Sequence, residues 1–154
     1  MVDAGADIAL AVIGDGPYRE EMEASLLRYP AHFTGYLAGE ELQRGYASAD
    51  LFVFPSATDT FGNVVLEAQS SGLPVIVSDE GGPRELMIDG ETGVVFRAGS
   101  TSDLVAAIRF LASDPEQIAR MGLNARRFIQ VNAPDSNQTF STILHRHVQS
   151  GMRR

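Results

Sequence analysis

Cysteine is absent from this chain of 154 residues, which excludes disulfides and thiolate metal sites. Lysine is absent too: all twelve basic residues are arginine, set against twenty acids for a net charge of −8. The arginines cluster no further than the pairs Arg126–Arg127 and Arg153–Arg154, so no basic surface stands ready for nucleic-acid phosphates. Long hydrophobic runs are missing as well. The longest, such as Ile8–Ile13 and Pro74–Val77, fall far short of a membrane span. The opening MVDAGADIALAVIG has no basic flank of the kind that begins a secretory signal, which makes a cytoplasmic location the simplest expectation. On that expectation the Asn137–Gln138–Thr139 sequon is a chance match. Histidine is scarce and badly placed for a metal. His32 opens a short strand, while His145 and His147 are two apart on a helix and point to different faces.

What is present is an alternation of short apolar runs and amphipathic stretches. Strands are predicted at Ile8–Ile13, His32–Thr34, Leu51–Pro55, Val75–Ser78 and Val94–Phe96. Most are continuous apolar runs, the pattern of parallel strands covered on both faces. Helices are predicted between them. Tyr18–Arg28 has Pro17 at its first turn, and Gly39–Ser48 has Leu42 and Tyr46 four apart on one face. Asn63–Ser71 stops at Gly72, and Pro74 blocks its continuation; Pro83–Ile88 is short and ends at the turn Asp89–Gly90. Beyond Thr101 the chain reads as helical to about residue 150. Ser102 is the expected N-cap for Asp103–Ser113, Pro115 opens a helix to about Val131, and Ser136–Gln149 forms a last one. The fold class is α/β, a Rossmann-like three-layer domain with a mostly parallel sheet, and residues 1–154 read as one domain. Such sheets take ligands at the carboxyl ends of their strands. That edge collects the loops Gly14–Pro17, Gly35–Leu37, Ser56–Phe61, Asp79–Pro83 and Arg97–Ser100.

The richest stretch is PSATDTFGNVVLEAQSSGLPVIV, Pro55–Val77. A strand ends, a polar loop follows, and a helix opens near Gly62. A helix start presents unpaired N–H groups and the positive end of its dipole. Phe61, Gly62, Asn63 and Val64 would supply those donors, with Gly62 allowing close approach. Asp59 in the loop and Glu67 in the helix add carboxylates. Amides for anionic oxygens beside carboxylates for hydroxyls suit a sugar phosphate. Asn63 and Glu67 are four apart and share a helical face. The Gly14–Pro17 turn is no dinucleotide fingerprint, because Arg19 stands where a third glycine is needed. Arg84 and Glu85 read as structural or rim residues. Asp50, Asp79, Glu80 and Asp89 read as scattered caps and turn residues, with no metal cluster.

Taken in order, VIGDGP (Val12–Pro17), HFTGYL (His32–Leu37), ADLFVFPS (Ala49–Ser56), DTFGNVVLEAQSSGLPVIV (Asp59–Val77) and GGPRELMIDGETGVVF (Gly81–Phe96) carry a family resemblance. The chain resembles the C-terminal, donor-binding half of a group 1, family 4 retaining glycosyltransferase with the GT-B fold, over roughly residues 8–130. The resemblance implies transfer of a sugar from a nucleotide-diphosphate sugar, such as a UDP or GDP sugar, to an acceptor hydroxyl, with retention, without a cofactor and without a bound metal. It implies Asp59 and Glu67 as the paired acids of the donor pocket, with Glu67 accepting from the ribose hydroxyls. Asp59 and the amides of Phe61–Val64 would meet sugar hydroxyls and diphosphate, Gly35 and Tyr36 the base, and Gly14 and Gly16 the border of the nucleotide. Asp59 stands where the family usually has glutamate. The family's diphosphate-binding arginine and lysine precede the Ile8 strand, on a strand and loop that this chain starts too late to contain. Pairing in the sheet is therefore expected to be altered, or completed by another chain. The acceptor-binding domain is expected to be missing, which leaves the isolated chain inactive, with the missing domain or another copy of the chain as partner and no nucleic-acid or membrane contact. The alternative is a non-catalytic interaction module that keeps the half-fold and offers its half-cleft, or the apolar stripe Phe140, Ile143, Leu144 and Val148, to a protein partner.

Overall fold

The structure is a computed structural model that describes residues 8–58 and 61–132. The expected last helix Ser136–Gln149, the sequon at Asn137 and the pair His145 and His147 lie outside the described residues. The chain divides into two compact units between Ala47 and Ser48. Among the described residues the five strands form two sheets, of two and three strands. No described helix is long and apolar enough to cross a membrane.

The first unit is β1 (Leu10–Ile13), α1 (Arg19–Leu26), β2 (Ala31–Gly35) and α2 (Gly39–Ala47). Strands β1 and β2 run parallel, with Leu10 opposite Ala31 and Val12 opposite Phe33. An irregularity before Ile13 brings it opposite Gly35. Here the expectation of strands covered on both faces fails, since Leu10 is 44% and Ile13 39% exposed. The helix α1 explains part of this. Its sequence REEMEASL is too polar to cover a sheet, and it buries none of its residues. It also starts one residue later than expected and ends two earlier. Pro17 therefore sits in the preceding turn rather than at the first helical position, and Tyr18, as N-cap, makes no side-chain cap bond. Helix α2 buries Tyr46 with Leu42 half-buried one turn before it, the face expected from their spacing.

The second unit is β3 (Phe52–Phe54), α3 (Asn63–Ser70), β4 (Val75–Ser78), a 3₁₀ helix (Gly82–Leu86), β5 (Gly93–Phe96), α4 (Thr101–Ala112) and α5 (Pro115–Asn132). Its sheet has the order β3-β4-β5, all parallel, with Val53, Ile76 and Val94 in one row. The central strand VIVS is buried at every position, which is what its continuous apolar run predicts. Ile76, Phe96, Ala107, Leu111 and Met121 form the core, with Leu104, Ile108 and Ile118 packed at its margin. Burial of Leu111 or Met121 contributes about 1.5–3 kcal/mol each.

Two local expectations are corrected. Helix α4 begins at Thr101 and its N-cap is Ser100, not Ser102; the Ser100 hydroxyl accepts the Asp103 N–H at 3.2 Å. Three cap-forming residues run together here, and Ser100 is the one with extended backbone and a hydroxyl three residues ahead of the amide it serves. The expected helix Pro83–Ile88 is a 3₁₀ helix over Gly82–Leu86. Five residues between Gly81 at φ +87° and extended Met87 fit the tighter winding.

Two backbone approaches require glycine. A Cβ on Gly122 in α5 would overlap the Gly72 carbonyl oxygen and stand 3.3 Å from its carbonyl carbon. A Cβ on Gly93 would overlap the Val75 carbonyl oxygen across the sheet.

Candidate functional site

The first turn of α3 is built around Gly62. Its backbone is left-handed (φ +58°, ψ +30°), a conformation that penalises any residue with a Cβ. A Cβ there would also stand 3.0 Å from Leu86 Cδ1 and 3.1 Å from Pro83 Cα. Among the described residues no side chain caps the helix start, and the Val65 N–H donates back to the Gly62 carbonyl at 2.8 Å. The amides of Asn63 and Val64 thus open the helix without a side-chain acceptor, where the dipole is positive.

Helix α3 buries Val65, Leu66, Ala68 and Gln69, which turns Asn63, Glu67 and Ser70 to its polar face. Asn63 is exposed and Glu67 half-buried one turn on, as their spacing predicts. The Glu67 carbonyl accepts the Ser70 and Ser71 hydroxyls at 2.8 and 3.0 Å. Phe61 is 61% exposed beside this turn. Asp59 lies outside the described residues.

The loop after β4 packs against the same turn. Pro83 and Leu86 are buried at Gly62, and Gln69 Nε2 donates to the Leu86 carbonyl at 2.8 Å. Gln69 Oε1 is buried without a partner among the described residues. Ser78, fully buried at the end of β4, places its hydroxyl 2.8 Å from both the Ser56 and the Glu80 carbonyls. Asp79 accepts the Ala98 N–H at 2.7 Å, and Asp89 accepts the Val95 N–H at 3.0 Å. Both aspartates cap backbone, as the sequence suggested. The Arg84 guanidinium meets the Met87 sulfur at 3.9 Å. Neither Ser78 nor Gln69 stood out in the sequence. An uncharged residue at a strand end or inside a helix announces no partner.

In the first unit, Gly14, Gly16, Gly35 and Tyr36 gather at the carboxyl ends of β1 and β2. Gly14 (φ +123°) donates its N–H to the Gly35 carbonyl at 2.8 Å, and Gly35 itself is left-handed at φ +71°. The Gly16 N–H donates to Asp15 Oδ1 at 2.7 Å, and the 81%-exposed Tyr36 donates its hydroxyl to the Asp15 carbonyl at 3.4 Å. Arg19 closes the group with ion pairs to Glu23 (2.8 Å) and Asp15 (3.4 Å). The hydrogen bond to Glu23, joined by the charges of Glu23 and Asp15, raises its pKa above the ordinary arginine value, so it stays a cation.

Among the described residues no three His, Asp or Glu side chains stand close enough to hold a metal ion. A groove of about 350 Å³ runs along β5 and α4, lined by Val94, Phe96, Asp103, Ala107 and Phe110. It includes Arg97, the first residue of the loop after β5, but no residue of the first turn of α3 or of the loop after β4.

Residues 2–128 match the family described as Glycosyl transferases group 1. Sulfoquinovosyl transferase SQD2 of Arabidopsis thaliana is 43% identical over 129 residues, covering 82% of this chain and 25% of that protein. GDP-mannose-dependent alpha-mannosyltransferase of Mycolicibacterium smegmatis is 40% identical over 130 residues, covering 84% of this chain and 33% of that protein. Among solved structures, that of Anabaena Alr3699/HepE in complex with UDP-glucose superposes with a TM-score of 0.74 at 24% identity, over 99% of this chain and 44% of that one. The chain thus spans between a quarter and a third of these two relatives. It belongs to the group 1 glycosyl transferases, and its fold is that of the C-terminal half of a GT-B enzyme.

Proposed function

We propose that residues 1–154 are the nucleotide-sugar-binding domain of a retaining hexosyltransferase that moves a sugar from a nucleotide-diphosphate donor to an acceptor hydroxyl. The observation that carries this reading is the first turn of α3. There, after left-handed Gly62, no side chain among the described residues caps the Asn63 and Val64 amides, one turn ahead of half-buried Glu67. Amides at a helix start stabilise negative charge that develops on a departing diphosphate, and they do so without reorganising. Glu67 accepts from the paired ribose hydroxyls, the strong arrangement for an ionised acceptor. Asp59 and the amides of Phe61–Val64 meet sugar hydroxyls and diphosphate. Gly14 and Gly16 border the nucleotide, and Gly35 and Tyr36 face its base. No metal ion or other cofactor is required, and the reaction is assigned to the cytoplasm.

The test is a titration of the chain with UDP and GDP, followed by amide NMR beside Glu67→Ala. Expected are shifts after Gly14, Gly35 and Phe61 that vanish in the variant. A folded spectrum that stays unmoved at millimolar nucleotide refutes the reading. Catalysis by this family's architecture needs a second domain to exclude water and place the acceptor. The isolated chain is therefore expected to show no sugar transfer, and measured turnover would sink that part of the proposal.

The exposed apolar side chains Leu10 and Ile13 on β1 favour a second reading, a protein-contact module. Concentration-dependent association in sedimentation, indifferent to nucleotide, would support it over the first.

A further inference from the structure

Two loops meet in the second unit at three places. At their roots, the buried Ser78 hydroxyl lies 2.8 Å from the Ser56 carbonyl after β3 and 2.8 Å from the Glu80 carbonyl after β4. At their tips, Gly62 packs on Pro83 so closely that a Cβ would stand 3.1 Å from the Pro83 Cα. Further along, Gln69 reaches from α3 to the Leu86 carbonyl at 2.8 Å. Of the three ties, the root is the one formed by a single hydroxyl proton shared between two carbonyls. Strand β4 is buried throughout and flanked by strands on both sides, so Ser78 starts from a rigid base.

We propose that Ser78 is a positioning residue of the donor site: its hydroxyl sets the spacing between the loop leading into the first turn of α3 and the loop Asp79–Pro83, and so aims the Asn63 and Val64 amides. This rests on the donor-binding reading above. The chemistry on which Ser78 acts indirectly is the diphosphate of a nucleotide ligand. Ser78 itself touches only the two carbonyls. A ligand that needs both loops aligned binds in proportion to the aligned fraction. Loss of one net hydrogen bond from the root lowers the ratio of aligned to misaligned loops about fivefold and so weakens binding by up to that factor.

The experiment compares the full chain with Ser78→Ala, Ser78→Thr and Ile76→Val, the last a core change on the same strand that lowers stability without touching the loops. UDP and GDP are titrated by calorimetry, and amide spectra and thermal melts are recorded for each. Expected for Ser78→Ala are shifted amides at 56–58, 61–64 and 80–83 without ligand, and affinity measurably weakened, by up to about fivefold. Ser78→Thr, which keeps the hydroxyl, is expected to restore both. Ile76→Val is expected to melt lower at unchanged affinity. If Ser78→Ala melts lower but its loop amides and affinity match the parent's, the residue is a packing element only and the proposal is overturned. If Ser78→Ala does not fold, Ser78→Thr decides: affinity weakened severalfold although the hydroxyl is kept overturns the proposal, and parental affinity supports it. If the unsubstituted chain takes up neither nucleotide, the donor-binding reading fails and this proposal falls with it, an outcome distinct from a variant that binds as its parent does.

Discussion

Replacing Gly122 by alanine sets two effects of opposite sign against each other, and the geometry decides between them. By helix propensity alone the change favours α5 by about 1 kcal/mol. The new Cβ, however, would overlap the Gly72 carbonyl oxygen and lie 3.3 Å from its carbonyl carbon and 3.5 Å from Pro74 Cδ. These are backbone and ring atoms that cannot rotate aside. To restore ordinary contact, α5 must withdraw by about 1 Å, which opens its packing on α3. Overlap with fixed backbone atoms lies in the upper part of the overpacking range, about 2–3 kcal/mol, so the net effect is a loss of about 1–2 kcal/mol. For a chain of this size the melting temperature should fall by roughly 2–8 °C, read by far-ultraviolet circular dichroism. Gly45→Ala is the control. It is the same substitution in helix α2, but its Cβ would meet only the side-chain ends Ile13 Cδ1 at 3.1 Å and Leu37 Cδ1 at 3.7 Å. Flexible methyl groups give way, and propensity should leave this variant level or up to about 1 kcal/mol more stable. If both variants melt higher than the parent, the close backbone approach at Gly122 is wrong.

Gly62→Ala should lose about 2 kcal/mol, from the left-handed backbone and the crowding against Pro83, and should lose nucleotide affinity with it. Ser100→Ala should cost about 1 kcal/mol in urea unfolding while Ser102→Ala changes stability by no more than about 0.5 kcal/mol; equal losses would contradict the cap assignment. Asp89→Ala frees the Val95 N–H on the sheet's edge strand, with an expected loss of about 0.5–1.5 kcal/mol and a greater tendency to self-associate in light scattering.

The strands were legible to within about two residues because apolar runs bounded by glycine, proline and aspartate have few other readings. Val75–Ser78 matches at both ends. Burial was less legible. Ile8–Ile13 has the same apolar look, yet β1 is largely exposed, because strand composition says nothing about whether a helix such as α1 is apolar enough to cover it. The cap of α4 was misplaced because Ser100, Thr101 and Ser102 share the same local chemistry, and only backbone conformation separates them. At the candidate site the helix start, Gly62 and the shared face of Asn63 and Glu67 followed from spacing. The ties through Ser78 and Gln69 did not, since each joins segments 17 or more residues apart. The folded backbone creates such pairs, and no periodicity encodes them.

Gly93 at the start of β5 has a consequence for how this unit folds. Its alpha carbon faces the Val75 carbonyl with no room for a side chain, and the following residues are Val94, Val95 and Phe96. A slip of one residue toward either end would bring Thr92 or Val94 to that carbonyl, and each carries a branched Cβ. The missing side chain therefore works as a key in a lock: β5 closes onto β4 in one register, and either one-residue slip is opposed by a clash with backbone.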